Sequence, residues 1–134
     1  MLTCQLKGAQ MEQPIEKIKK ITWRNYLRTF QDYSYLCTAK DTTITAKTVS
    51  LIEKYLEDDT SEYAKTVRDT IIAQSEQKMD KIMGIALTEE LWERFRKSCL
   101  KNKNARPARI LNQITRRYVD DHEEEVTRWR KESE

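Results

Sequence analysis

Lys81-Ile82-Met83-Gly84-Ile85-Ala86-Leu87-Thr88-Glu89-Glu90-Leu91-Trp92-Glu93-Arg94-Phe95 is the stretch whose reading decides the fold. Its first residues alternate: Met83, Ile85 and Leu87 share one side, and Ile82, Gly84 and Ala86 share the other, a period of two over a strand's length. At Thr88 the period changes. A hydroxyl at a helix N-cap followed by Glu89 and Glu90 suits the positive end of a helix. Leu91, Trp92, Phe95 and Cys99 then recur at helical spacing to about residue 101. Glu90–Arg94 and Glu93–Lys97 are i,i+4 pairs in the favourable orientation.

Working outward, Lys101-Asn102-Lys103-Asn104 reads as a break. Asn104 can cap a following helix, with Pro107 tolerated in its first turn. Ile110, Leu111, Ile114 and Tyr118 face inward, and the acidic tail from Asp120 to Glu134 prolongs that helix. Upstream, Ile15, Ile18, Trp23, Tyr26, Leu27, Phe30 and Cys37 recur at three- and four-residue steps. This spacing predicts one long amphipathic helix over 14–38, opened by Pro14, with Lys17, Lys19, Lys20, Arg24 and Arg28 on its wet face. A second helix is expected over 46–57, capped by Thr45. A third is expected over 60–80, opened by the capping box Asp59-Thr60-Ser61-Glu62 with Tyr63, Val67 and Ile71 inward.

Charge is unevenly placed. Residues 94–117 carry nine basic side chains and no acidic one: Arg94, Arg96, Lys97, Lys101, Lys103, Arg106, Arg109, Arg116 and Arg117. Residues 1–40 net +4, 41–80 net −4, 81–119 net +7 and 120–134 net −4, which accounts for the overall +3. A run of one sign within a nearly balanced chain is a located field, and a positive one suits phosphate.

A strand, a capped helix, a break and a second helix make a βαα unit. This unit resembles the ribbon–helix–helix family of DNA-binding proteins. Lys81 to Leu87 match the ribbon, Thr88 to Phe95 the first helix, and Asn104-Ala105-Arg106-Pro107-Ala108-Arg109-Ile110-Leu111 the turn into the second. The resemblance covers residues 81–120. It implies a homodimer in which two copies pair their strands and bury Met83, Ile85, Leu87, Trp92, Phe95, Ile110 and Ile114 together. It also implies that the paired ribbon, outward residues Lys81, Ile82, Gly84 and Ala86, enters the major groove of duplex DNA. Lys101, Lys103, Asn104, Arg106 and Arg109 would meet phosphate at the start of the second helix.

The chain departs from the family pattern in its outward ribbon residues, which are apolar where polar groups should reach base edges. Three alternatives follow: binding through backbone and DNA shape, a register shifted by one residue, or a unit used for assembly alone. The middle of the chain offers a second echo. Thr42-Thr43-Ile44-Thr45 would be a short strand, with Val49 to Asp59 and Ser61 to Gln74 as two helices. That tandem would form a pseudo-dimer within one chain.

These features predict a mainly α protein: a helical assembly or partner module over 1–80 (1–13 flexible), a ribbon–helix–helix unit over 81–120 pairing its strand across a dimer, and a charged helical tail over 121–134. The high charge content, 35%, leaves a thin core that oligomerisation would supplement. Two glycines and two prolines argue against an all-β fold and against glycine-rich phosphate loops. No apolar run suits a bilayer span. Cys4, Cys37 and Cys99 are scattered and His122 stands alone, so no disulfide framework, metal site or cofactor is expected. No nucleophile, base or paired carboxylate suggests an enzyme. The expected function is a cytoplasmic, dimeric DNA-binding regulator of transcription, or a plasmid-partition or relaxosome-type accessory factor, with a protein partner open to residues 14–80. The alternative is a helical adaptor whose basic patch docks RNA or an acidic protein. Met1 or Met11 could serve as the start.

Overall fold

A computed structural model describes residues 16–102 and 105–133, the side chains of Met79 and Asp80 excepted. In chain order the elements are β1 (Ile18–Tyr26), α1 (Leu27–Ala39), α2 (Ile44–Glu57), α3 (Glu62–Arg68), a 3-10 turn (Gln74–Glu76), β2 (Met79–Thr88), α4 (Glu89–Lys101), α5 (Pro107–Asp121) and α6 (Glu123–Glu132). The fold is therefore mainly helical around one small two-stranded sheet. No described helix is long and apolar enough to cross a membrane.

The expected helix over 14–38 holds from Leu27 onward, as α1, and is corrected before it; Pro14 and Ile15 lie outside the described residues. Residues 18–26 are a strand, antiparallel to β2, with Ile21 opposite Ile85, Thr22 opposite Gly84 and Trp23 opposite Met83. β-Branched and aromatic residues favour the extended backbone there, and Ile21, Trp23 and Asn25 point into the core while Lys20, Thr22 and Arg24 stay exposed. The expectation that the 81–87 strand finds its partner across a dimer is corrected by the same pairing, because β1 of the same chain fills that place. At the end of β1 the register slips between Asn25 and Tyr26. There the Asn25 carboxamide oxygen accepts from the Tyr26 N–H at 2.7 Å, so the backbone donor at the irregularity is satisfied by a side chain.

Helix α1 ends through Asp41, whose φ of 55° is left-handed. The Thr42 N–H then donates to the Cys37 carbonyl at 2.9 Å, closing the helix end. No strand forms at 42–45. Thr43, not Thr45, caps α2, its hydroxyl accepting from the Ala46 N–H at 3.0 Å. The helix expected over 60–80 is only α3. Its cap is Ser61, and Thr66 and Thr70 turn their hydroxyls back onto the carbonyls four residues earlier, a bond that competes with helix continuation. Ile71 lies beyond its end, 85% exposed rather than inward. Thr88 caps α4 as expected, accepting from the Leu91 N–H at 3.1 Å, and Pro107 opens α5. The tail does not prolong α5: the chain breaks at His122 and α6 folds back toward α1.

The two segments β1–α1–α2 and β2–α4–α5 repeat one arrangement. Tyr26 and Thr88 are equivalent N-cap positions of α1 and α4. Counting back from them matches Ile21 with Met83, Trp23 with Ile85 and Asn25 with Leu87, all buried. The packing repeats too: α2 lies on β2 and α5 on β1, while α1 meets α5 and α4 meets α2. The Glu89 N–H donates to the Lys17 carbonyl at one ribbon end, and the Leu27 N–H to the Lys78 carbonyl at the other, each at 2.9 Å. The halves thus interlock about a pseudo-two-fold axis through the Thr22–Gly84 pair. One hydrophobic cluster, including Tyr33, Leu36, Ile52, Tyr55, Phe95 and Ile114, draws on both.

Candidate functional site

The outer face of the ribbon has no described element over it. From β1 it carries Lys20, Thr22 and Arg24, exposed at alternate positions. From β2 it carries Ile82, 65% exposed, with Gly84 exposed and Ala86 half-buried. Cross-strand pairing sets Lys20 beside Ala86, Thr22 beside Gly84 and Arg24 beside Ile82. Strand sequence therefore places two cations and a hydroxyl on one flat surface, and none of these six residues is an acid.

The N-termini of the two second helices flank this face. A shallow cleft joins Arg24 and Tyr26 of β1 to Ala108 and Arg109 of α5. Toward the other end, Lys20 and Thr22 share a depression with Thr45 of α2 and with Gly84 and Ala86. The first N–H groups of any helix lack intrahelical acceptors. At α5 the N-cap Arg106 makes no side-chain capping bond, which leaves the Ala108 and Arg109 N–H groups open to a ligand.

Core polar groups fix the ribbon to α5. The Trp23 indole Nε1–H donates to Asn112 Oδ1 at 2.8 Å, and Asn112 Nδ2 donates to the Arg24 carbonyl at 3.1 Å. Asn25 Nδ2 donates to Thr115 Oγ1 at 3.1 Å. The strand bearing Arg24 and the helix bearing Arg109 are thereby held as one unit.

The basic run divides into two kinds of residue. Arg96 pairs with Glu93, Arg117 with Asp121, and Arg116 with both Asp120 and Glu76. These serve the fold. Among the described residues, Arg94, Lys97, Lys101, Arg106 and Arg109 form no ion pair and are exposed. Lys103 and Asn104 lie outside the described residues.

Of the ribbon residues read from sequence, Ile82, Gly84 and Ala86 sit on the outer face. Lys81 is turned aside, its ammonium 4.6 Å from the Phe30 ring centroid. Met83, Ile85, Leu87, Phe95, Ile110 and Ile114 are buried within the chain's own core, and Trp92 is half-buried against Phe95. Sequence reasoning misses Lys20, Thr22 and Arg24 as ribbon residues, and Thr45 beside them. The signal that could find them is the alternation Lys20-Ile21-Thr22-Trp23-Arg24.

Burial pushes the Cys37 thiol up and the Cys99 thiol up to about 12, the reverse of what a nucleophile requires. His122 Nδ1 lies 2.8 Å from the Tyr118 carbonyl and its ring stands against the Tyr118 ring. Among the described residues no three His, Cys, Asp or Glu side chains converge as metal ligands. No known family profile, curated protein or solved structure matches the chain.

Proposed function

We propose that the chain is a duplex-DNA-binding protein of the ribbon–helix–helix type in which two βαα repeats in one polypeptide replace the usual dimer, serving as a regulator or accessory factor on DNA. The observation that carries this reading is the outer ribbon face: Lys20, Thr22 and Arg24, exposed and side by side with no acid among them, flanked by the first turns of α2 and α5. A two-stranded ribbon of this width fits the major groove. Arg24 and Lys20 can donate to guanine O6 and N7, and Thr22 can contact either a polar base edge or a thymine methyl. The polar groups that the 81–87 strand lacks are supplied by β1.

Phosphate would be met at the two flanks. Open backbone N–H groups and the positive end of the helix dipole favour an anion at the start of α5, with Arg106 and Arg109 adding charge. Lys101 adds attraction that carries no sequence information and weakens with salt. The Trp23–Asn112–Arg24 link keeps the base-reading strand and the phosphate-binding helix in fixed relation, as precise docking requires.

The test is fluorescence anisotropy with labelled duplex DNA over a range of salt. The unmodified chain is expected to bind with log affinity falling linearly in log salt. Replacing Arg106 and Arg109 together by alanine should weaken binding to every sequence and reduce the salt slope by about two, one for each phosphate no longer neutralised. Binding insensitive to salt, or unchanged in the double variant, overturns the reading.

A further inference from the structure

The two halves of the fold are equivalent, but the two halves of the ribbon face are not. The pseudo-two-fold axis runs through the Thr22–Gly84 pair. It relates Lys20 to Ile82, Thr22 to Gly84 and Arg24 to Ala86. Among these six residues every side chain with a hydrogen-bonding group comes from β1, and each of its symmetry mates on β2 is apolar or absent. Along the ribbon, one half presents Lys20 beside Ala86 and the other presents Arg24 beside Ile82. The flanks differ in the same sense: Arg106 and Arg109 stand at the start of α5, whereas Thr43 and Thr45 stand at the start of α2.

We infer that the chain reads an asymmetric DNA sequence in a fixed orientation, with two guanines on a single DNA strand, one contacted by Lys20 and the other by Arg24. This rests on the DNA-binding reading above. A ribbon lying along the groove sets each of its strands nearer one groove wall, and guanine N7 and O6 lie toward the wall of the guanine's own strand. Two cations from one β-strand therefore favour purines of one DNA strand. Four residues of extended chain separate them by about 13 Å. At a rise of about 3.4 Å per base pair along an inclined groove, that corresponds to guanines roughly three to four base pairs apart. Thr22 and the apolar Ile82 and Ala86 face the intervening and opposite bases, where thymine methyls suit them. A homodimer with a repeated ribbon would select an inverted repeat; at the six outer positions Lys20, Thr22, Arg24, Ile82, Gly84 and Ala86 this chain carries one polar set, not two.

The experiment is selection of duplexes from a random library by the intact chain, followed by N7-methylguanine interference on the selected sites. A non-palindromic consensus is expected, with methylation interfering at two guanines of the same strand. Lys20→Ala should relax preference at one guanine and Arg24→Ala at the other, each by about tenfold or more. A variant with Ile82→Lys and Ala86→Arg places cations at the symmetry mates, and should shift the preferred site toward an inverted repeat. An inverted-repeat consensus from the native chain, or equal interference on both strands, overturns the asymmetry and leaves DNA binding standing. Failure to retain any duplex overturns both.

Discussion

Asn112 joins two surfaces that the proposed function needs together. It accepts from the Trp23 indole and donates to the Arg24 carbonyl, and it is 6% exposed. Buried polar groups are tolerable when paired and expensive when orphaned. Asn112→Ala would leave the Trp23 N–H without its acceptor and the Arg24 carbonyl without this donor. Urea denaturation is expected to show a loss of about 1–3 kcal/mol, and DNA affinity should fall as the ribbon loosens against α5. A change within experimental scatter would mean that water or a shifted side chain replaces Asn112. Asp32 shows the opposite balance. Burial holds its carboxyl above the usual range, and Arg130, with lesser help from Arg28, offsets only part of that rise. That ion pair and the stacked rings of Tyr35 and Trp129, centroids 4.3 Å apart, pin α6 onto α1.

The elements show which patterns a sequence exposes. β2, α4 and the start of α5 are legible because alternation, the Thr88 cap and Pro107 all agree with the tertiary packing. β1 is not, because its faces defy simple hydrophobic patterning. Ile18 is 61% exposed although apolar, and Asn25 is fully buried although polar. With those two residues read at face value, Ile18, Trp23, Tyr26 and Leu27 fall into a helical spacing. Only the hydrogen bonds of Asn25 to Thr115, Met83 and the backbone make its burial possible, and its side-chain partners lie far along the chain. Residues 60–80 mislead for a related reason, since nothing in the spacing of Tyr63, Val67 and Ile71 reveals that the helix stops at Arg68. The polar half of the candidate site is hidden along with β1. The ribbon also allows a prediction at its centre. Gly84 has no positive φ, and a Cβ there would lie 3.6 Å from Thr22 Cγ2 and 3.7 Å from the Ile21 carbonyl oxygen, ordinary contacts. Gly84→Ala should therefore stabilise the strand by about 0.5–1 kcal/mol by lowering the entropy of the unfolded chain. Thermal and urea unfolding check this; destabilisation would show that the ribbon's twist depends on glycine.

At the scale of the whole molecule, the expected need for a partner subunit is met inside the chain. A lone strand leaves unpaired backbone groups and an uncovered apolar face, and a single βαα unit would have to recruit a copy to fold. Here β1 pairs with β2, α2 covers β2, and α5 covers β1. The core side chains that a dimer would have to bury, Phe95 and Ile114 among them, are fully buried without one. Folding should therefore be unimolecular. For a protein whose subunits fold only by interlocking, a hundredfold dilution lowers apparent stability by about 2.7 kcal/mol. For this chain the urea midpoint should stay fixed over the same dilution, with a single cooperative transition as β1 and β2 separate together. A midpoint that falls on dilution would mean that the strands exchange between chains, so that the native ribbon is swapped rather than internal. The same measurement bears on orientation at DNA. A ribbon closed within one chain always presents Lys20, Thr22 and Arg24 once, on one strand. A ribbon swapped between two identical chains would form two such faces, each still built from one β1 and one β2. On the proposed DNA-binding reading, polarity follows from the register of the two strands rather than from the number of chains, so dilution probes how the ribbon is closed and site selection probes what its two unlike edges would read.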